Sequence, residues 1–191
     1  MRGRRGAFKK TKRLFVIATE GAETEPIYFS EFHPGREGEF RLKILGNPHH
    51  KSRPLDVLQR LTDYERRERP GPNTEYWAVI DRDAWSIKEL DLVSHEVAKR
   101  PDYHLALSNP CFELWLWLHL KPNRIFADRH DCQRSLIREW PEYAKGSYDA
   151  AKLIAMVQKA CERAKEGDED PNRLWPEGQA SRVYRLVERL R

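Results

Sequence analysis

The sequence lacks the long apolar runs and the paired cysteines that mark several large classes of protein. Its longest apolar stretch, Phe112–Leu120, is much shorter than the roughly 20 residues that span a bilayer. The apolar run at residues 14–18 is also too short for the core of a signal peptide. The three cysteines form no C-x-x-C pair, which argues against a disulfide framework or a zinc ribbon and fits a reducing compartment. We therefore expect a cytoplasmic protein without a membrane partner.

Several catalytic motifs are missing as well. No G-x-x-x-x-G-K-[ST] sequence is present, which disfavours a P-loop nucleoside triphosphatase, and no G-x-S-x-G sequence marks a serine hydrolase. His130 and Cys132 are too few to form a zinc site. The chain does have 191 residues, of which 10% are aromatic, and this is enough apolar surface for one folded domain with one core.

Basic residues are concentrated at the amino terminus. Seven of the 35 lysines and arginines lie in residues 1–13, where there is no acid, and the rest of the chain has a slight excess of acids. We expect residues 1–12 to form a mobile tail, which is either solvated or bound to the phosphate backbone of a nucleic acid. On the second interpretation the predicted nucleic-acid contacts are Arg4, Arg5, Lys9, Lys10 and Lys12.

Strand and helix patterns alternate along residues 13–120. Four short β-rich runs are each followed by a turn signal and a helical pattern; the runs are LFVIAT, FRLKIL, YWAVI and YHLAL. This order predicts an α/β fold, with a parallel sheet of about four strands flanked by helices. The run FRLKIL alternates apolar and polar residues, which favours a position at a sheet edge. Residues 121–191 show helical patterns only, so we expect a helical extension packed on the core.

Local signals also predict where individual helices begin. Asn109 is expected to cap a deeply buried helix that has Pro110 in its first turn and runs to about Leu120. In the C-terminal part, the apolar spacing predicts one helix over residues 148–164 and a closing helix over residues 181–190.

Acidic side chains follow the strands at positions that should meet at one edge of the sheet. In parallel sheets, ligands bind beyond the carboxyl ends of the strands, so these positions are the place to look for a site. The first strand is followed by Glu20, Glu23 and Glu25, the second by His49, His50 and Lys51, the third by Asp81 and Asp83, and the fourth by Asn109 and Glu113.

Asp81 and Asp83 form the clearest acidic pair, since residues two apart in an extended chain point to the same side. Two carboxylates held so close repel each other unless a cation or a proton compensates. Mg²⁺ and Mn²⁺ prefer carboxylate oxygen and keep waters for substrate phosphates, so the pair favours a site for one of these ions. The alternative interpretation is an Asx turn at the start of a helix.

Glu20 and Glu113 are the next candidates. Glu20 ends a strand that should be buried, where an uncompensated carboxylate is costly, and it is either a site residue or a loop acid paired with an arginine. Glu113 interrupts an apolar helix, so it either faces solvent through a gap or points at the rim of the sheet and the metal. We favour the second position for Glu113.

Several longer segments resemble the RloB family. KRLFVIATEGAETEPIYF, VIDRD and SNPCFELWLWLH occur in this order, and PEYAKGSYDA and QASRVYRLVERL follow, so that the resemblance covers nearly the whole chain after about residue 12. Its specific parts are EG-x-x-TEP-x-YF and SNP-x-FE-x-WL-x-LH. The family is linked to bacterial restriction and abortive-infection loci, often beside an ATPase partner, and its fold is considered Toprim-like.

The resemblance implies roles for individual residues. A Toprim-like site has a glutamate after the first strand and a D-x-D after a later one. We expect this chain to depart from enzymes of that class in lacking a separate nucleic-acid domain. The matched residues are Glu20 for the glutamate, Asp81 and Asp83 for the D-x-D, and Glu25, Glu113 and Lys145 in the family's own segments.

Three functions remain open from the sequence. The first is a phosphodiesterase of anti-phage defence that uses Mg²⁺ or Mn²⁺ to cleave DNA or RNA. The second is a non-catalytic adaptor or nucleic-acid-binding subunit for a defence ATPase, which needs no metal. The third is a phosphoacceptor domain of the receiver type, which requires a lysine after a fifth strand. On the first hypothesis the metal ligands are Asp81, Asp83, Glu113 and Glu20, and the catalytic residues are Glu20, Glu25, Lys51 and Lys145.

Overall fold

The computed structural model describes residues 12–33, 40–47, 51–82 and 85–191. Within these ranges the chain forms five strands and eight helices, which alternate as predicted through the fourth strand. The strands are β1 (Arg13–Thr19), β2 (Phe40–Leu45), β3 (Thr74–Asp81), β4 (Tyr103–Asn109) and β5 (Ala180–Ser181). The helices are α1 (Thr24–Ser30), α2 (Pro54–Glu68), α3 (Ile87–Ala98), α4 (Phe112–Leu120), α5 (Arg129–Glu139), α6 (Ala150–Ile154), α7 (Val157–Gly167) and α8 (Val183–Arg189).

The five strands form one sheet in the order β2-β1-β3-β4-β5. Strands β1 to β4 are parallel, and β2 lies at one edge of the sheet, as its alternating pattern predicts. The predicted α/β fold is therefore confirmed, and it is consistent with the Toprim-like architecture that the resemblance implies. At the other edge β5 pairs antiparallel with β4, so the expectation of about four strands misses one short strand.

Helices cover both faces of the sheet. In β1, Val16 and its alternate neighbours pack against α2 and α3, while Phe15 and Ile17 belong to a second cluster with α1, α4, α7 and α8. Because both faces are buried, these strands are continuous apolar runs. Helix α4 is buried from Phe112 to His119, as its all-round apolar sequence predicts. No described helix combines the length and the apolar composition that a membrane crossing requires.

The start of α4 differs from the prediction. The helix begins at Phe112 with Cys111 at its N-cap, so the prediction that Asn109 caps it is wrong. Asn109 instead ends β4, and its side-chain amide donates to the carbonyl oxygens of Glu177 and Gly178 at 2.9 and 2.8 Å. These partners lie in the loop before β5, so a long-range contact replaces the local cap.

The C-terminal part also departs from its predicted helices. Ser181, predicted to begin the closing helix, instead belongs to β5, and α8 starts only at Val183. The single helix predicted over residues 148–164 is two helices, α6 and α7. The Met156 N–H donates to the Leu153 carbonyl three residues earlier at 2.8 Å, and this tighter turn separates them.

Candidate active site

A cavity with a volume of about 350 Å³ lies at the carboxyl edge of the sheet, where β1 and β3 end and α1 and α4 begin. Acids outnumber cations among the residues that line it, so we call it the acidic cavity. Its acids are Glu20, Glu23, Glu25, Asp81 and Glu113, its cations are Arg129 and Lys145, and its other lining residues are Gly21, Ala22, Thr24, Ser52 and Phe112.

Glu20 connects the ends of β1 and β3. Its backbone N–H donates to the Val79 carbonyl at 2.9 Å, which continues the pairing of the two strands beyond β1. Its carboxylate oxygen Oε2 accepts hydrogen bonds from the Asp81 N–H and the Trp85 Nε1–H, both at 3.1 Å. These two donors fix the orientation of the Glu20 carboxylate next to the end of β3.

Glu25 lies in the first turn of α1 and is only 4% exposed. Its Oε1 accepts the Gly21 N–H at 2.8 Å, and a Cβ at residue 21 would overlap the carboxylate, so this approach of the backbone needs glycine. Burial raises the pKa of Glu25, and the charge of Glu113 adds to that rise, whereas Lys145 opposes it. The charged form of Glu25 is therefore costly unless a cation lies nearby.

Glu113 is held from the other side of the acidic cavity. It lies in the first turn of α4, is 4% exposed, and points at the rim of the sheet, where it lines the cavity. Its Oε1 accepts hydrogen bonds from the Gln133 amide at 2.9 Å and from the Tyr143 hydroxyl at 3.4 Å. Burial, together with the charge of Glu113, raises the pKa of Tyr143, so this hydroxyl stays protonated and keeps its donor role.

The segment between α5 and α6 closes the acidic cavity against the loop that follows β1. Gly146 has a φ of 80°, and a side chain at this position would overlap the Glu23 carboxylate, so the turn needs glycine. The Tyr148 hydroxyl donates to the Thr24 carbonyl at 2.7 Å, a contact between residues 124 positions apart. Lys145 lies in the same segment and lines the cavity. Two distant parts of the chain thus form one wall of the site.

The structure brings together most of the acids that the sequence singled out. Glu20, Glu25, Asp81 and Glu113 line the acidic cavity, and so does Lys145. Their roles stay predictions, but the expected convergence at one edge of the sheet is present in the geometry.

Other predicted site residues lie elsewhere. Lys51 is not among the residues that line the acidic cavity; its N–H donates to Asn47 Oδ1 at 2.9 Å, and Ser52 lines the cavity instead. Lys12 is described and exposed. The predicted residues that fall outside the described ranges are Asp83, His49, His50, Arg4, Arg5, Lys9 and Lys10.

Sequence reasoning missed Arg129 and Gln133, both on α5. This helix carries no catalytic motif. Its only local signal is Asp128, whose side chain accepts the Asp131 N–H at 2.8 Å and caps the helix. Nothing in that signal says that α5 packs against α4 at the rim, so these two residues could be found only from the structure.

The donor set of the acidic cavity fits a divalent cation in its chemistry, because Mg²⁺ and Mn²⁺ prefer carboxylate oxygens. Among the described residues, however, no three acidic, histidine or cysteine side chains form a group that could hold a metal ion. A complete set of ligands therefore needs Asp83, which lies outside the described residues, or a shift of the lining carboxylates toward the ion.

Comparison with known proteins identifies a family. The family model described as RloB-like protein matches residues 15–190, which is nearly the whole chain. No curated protein and no solved structure matches.

Proposed function

The chain belongs to the RloB-like family, and on that premise we propose that it is a metal-dependent phosphodiesterase of bacterial anti-phage defence that cleaves DNA or RNA. The observation that supports this proposal is the convergence of Glu20, Glu25, Asp81 and Glu113 in the acidic cavity. Glu20 and Glu25 share one segment, Asp81 and Glu113 come from two others far along the chain, and all four meet where parallel sheets bind ligands.

The burial of these acids favours a cation as their partner. Glu25 and Glu113 are both 4% exposed, and the charge of Glu113 disfavours the charged form of Glu25 in a site shielded from water. Such a pair does not stabilise a hydrophobic core, since apolar residues of similar size would pack there without the cost of burying charge. A divalent ion would compensate that cost, and the carboxylates would serve as its ligands.

Four of the lining residues have a chemical role in this proposal. Asp81 and Glu113, together with Asp83, would hold the ion, which would act as a Lewis acid on the phosphoryl group when bound. Glu20 is oriented by two donors, so it is placed to accept a proton from an attacking water. Lys145 lines the same cavity and would neutralise a phosphate oxygen of the substrate.

The proposal is tested with Asp81→Asn, which removes one negative charge and keeps the size of the side chain. Purified protein is assayed on single-stranded and double-stranded DNA and RNA with Mg²⁺ and with Mn²⁺. We expect cleavage by the wild type and a loss of about 100-fold or more in the variant. The melting temperature in EDTA should stay near that of the wild type, because asparagine keeps the size of the side chain.

Asp102→Asn is the matched control, because Asp102 is an exposed residue before β4, at the opposite edge of the sheet. It should cleave like the wild type. The proposal is wrong if the wild type cleaves none of the substrates with either ion, or if Asp81→Asn cleaves as fast as the control.

A second candidate is a non-catalytic adaptor for a defence ATPase. It is favoured by the finding that no three potential ligands form a metal group among the described residues. Calorimetric titration with Mn²⁺ separates the two functions, since the adaptor predicts no binding heat that depends on Asp81. The receiver-type alternative loses support, because β5 is antiparallel and is followed by Arg182, where that fold requires a lysine after a parallel strand.

A further inference from the structure

A second cavity adjoins the acidic cavity and has the opposite charge. Its volume is about 380 Å³, and Arg82, Arg129 and His130 line it. We call it the basic cavity. Arg129 lines both cavities, so the two are neighbours at the same edge of the sheet. Asp128 also lines the basic cavity, but its carboxylate accepts the Asp131 N–H at 2.8 Å and so serves the helix.

The end of β3 explains why an acid and a base line neighbouring cavities. The Arg82 N–H donates to the Ser108 carbonyl at 2.8 Å, so residue 82 continues the pairing of β3 with β4. Successive side chains of an extended strand point to opposite sides. Asp81 therefore lines the acidic cavity, and Arg82, the next residue, lines the basic one.

The side chain of Arg82 has one hydrogen-bond donor for which the described residues supply no acceptor. Its Nε is buried from solvent and has no hydrogen-bond partner among them. A buried charged donor without an acceptor costs more than a neutral one, and buried polar atoms are nearly always paired in native proteins. An oxyanion in the basic cavity would give this Nε–H its acceptor and would also compensate the charge of Arg82.

We propose that the basic cavity binds a backbone phosphate of the polynucleotide, next to the phosphate that is cleaved in the acidic cavity. The identity of this ligand rests on the proposed function, whereas the anion site rests on the geometry around Arg82. Guanidinium groups match phosphate oxygens because their N–H donors form a planar fork. Since Arg129 lines both cavities, it would contact the polynucleotide between the two phosphates.

The test follows the Arg82 Nε–H signal by NMR in protein labelled with ¹⁵N-arginine, in EDTA so that nothing is cleaved. Inorganic phosphate is added in one titration and a short DNA or RNA oligonucleotide in another. We expect both to shift the signal and to saturate, with the oligonucleotide acting at the lower concentration. An unmoved signal in both titrations overturns the proposal. A shift with inorganic phosphate alone overturns the polynucleotide assignment and leaves a site for free phosphate.

Variants make the test quantitative. Arg82→Gln should weaken oligonucleotide binding about tenfold or more, and should reduce the dependence of log K on log salt by about 1. Arg82→Lys keeps the charge but loses the fork and should fall between Gln and the wild type, so it serves if Arg82→Gln does not fold. Arg138→Gln, an exposed change in the last turn of α5, is the matched control. Equal binding by Arg82→Gln and this control overturns the proposal.

This experiment and the cleavage assay can fail separately. Binding in EDTA requires neither the metal nor the acids, so a phosphate site at Arg82 would survive a finding that Asp81→Asn still cleaves. Conversely, if the protein cleaves the substrates but the Arg82 Nε–H signal does not respond, only the proposed phosphate site in the basic cavity is refuted.

Discussion

His119 lies on α4 in the core, and the folded structure stabilises only its neutral form. Its side chain is buried, with Nε2 at 3.0 Å from the Tyr28 hydroxyl and Nδ1 at 2.9 Å from the Trp115 carbonyl. A carbonyl oxygen can only accept, so Nδ1 carries the proton and Nε2 accepts from the tyrosine O–H. The neutral ring satisfies both partners, whereas the imidazolium would place a charge among aromatic side chains.

The consequence is an acid-sensitive fold. Burial lowers the pKa of His119 from 6.5 to about 4. In this window the unfolded chain binds the proton and the folded chain does not, so the free energy of unfolding falls as the pH falls from 6.5 to about 4. One pKa unit corresponds to about 1.4 kcal/mol, so this residue alone removes about 3 kcal/mol of stability over the window.

The measurement compares urea unfolding of the wild type and His119→Gln at about pH 7.5 and about pH 4. Glutamine is neutral at both pH values and can still accept from the Tyr28 hydroxyl. We expect the variant to be less stable than the wild type near neutral pH, because it loses ring packing. Between the two pH values, the free energy of unfolding should fall by about 3 kcal/mol more in the wild type than in the variant. His95→Gln, at an exposed histidine of α3, should follow the wild type at both pH values.

The reasoning is refuted if the pH profiles of the wild type and His119→Gln run parallel. Should His119→Gln not fold, Tyr28→Phe provides the second variant. It removes the hydroxyl donor but leaves the histidine buried, so the acid sensitivity should persist. Loss of that sensitivity in Tyr28→Phe would also contradict the account, since burial is the main cause of the lowered pKa.

Two further predictions concern the acidic cavity. Gly146→Ala should destabilise the fold by about 1–2 kcal/mol in thermal unfolding and should reduce cleavage. The reason is that φ is 80° at this position and that the new Cβ would overlap the Glu23 carboxylate. The control is Gly71→Ala, whose new Cβ would have no atom within 4 Å and which should change neither stability nor cleavage. Gln133→Leu should weaken Mn²⁺ binding about tenfold or more by calorimetry, because Glu113 loses the amide that orients it at 2.9 Å, and unchanged binding would remove Gln133 from the site.

Much of the fold was predictable from short stretches of sequence. The runs LFVIAT and YWAVI are apolar because parallel strands are buried on both faces, and this pattern predicts their position without tertiary information. The same rule predicts where the strands end, so Glu20 and Asp81 could be assigned to one edge of the sheet. The family resemblance added Lys145, which follows no strand.

What the sequence alone determined is the alternation of strands and helices and the edge at which the acids gather, because apolar periodicity and strand direction are local properties of the chain. Only the tertiary structure decided that Gln133 and Tyr143 hold Glu113, and that Arg82 lines a separate basic cavity. Those contacts depend on how α5 and the loop after it pack against α4. No local pattern encodes that packing, since it results from contacts between residues distant in sequence.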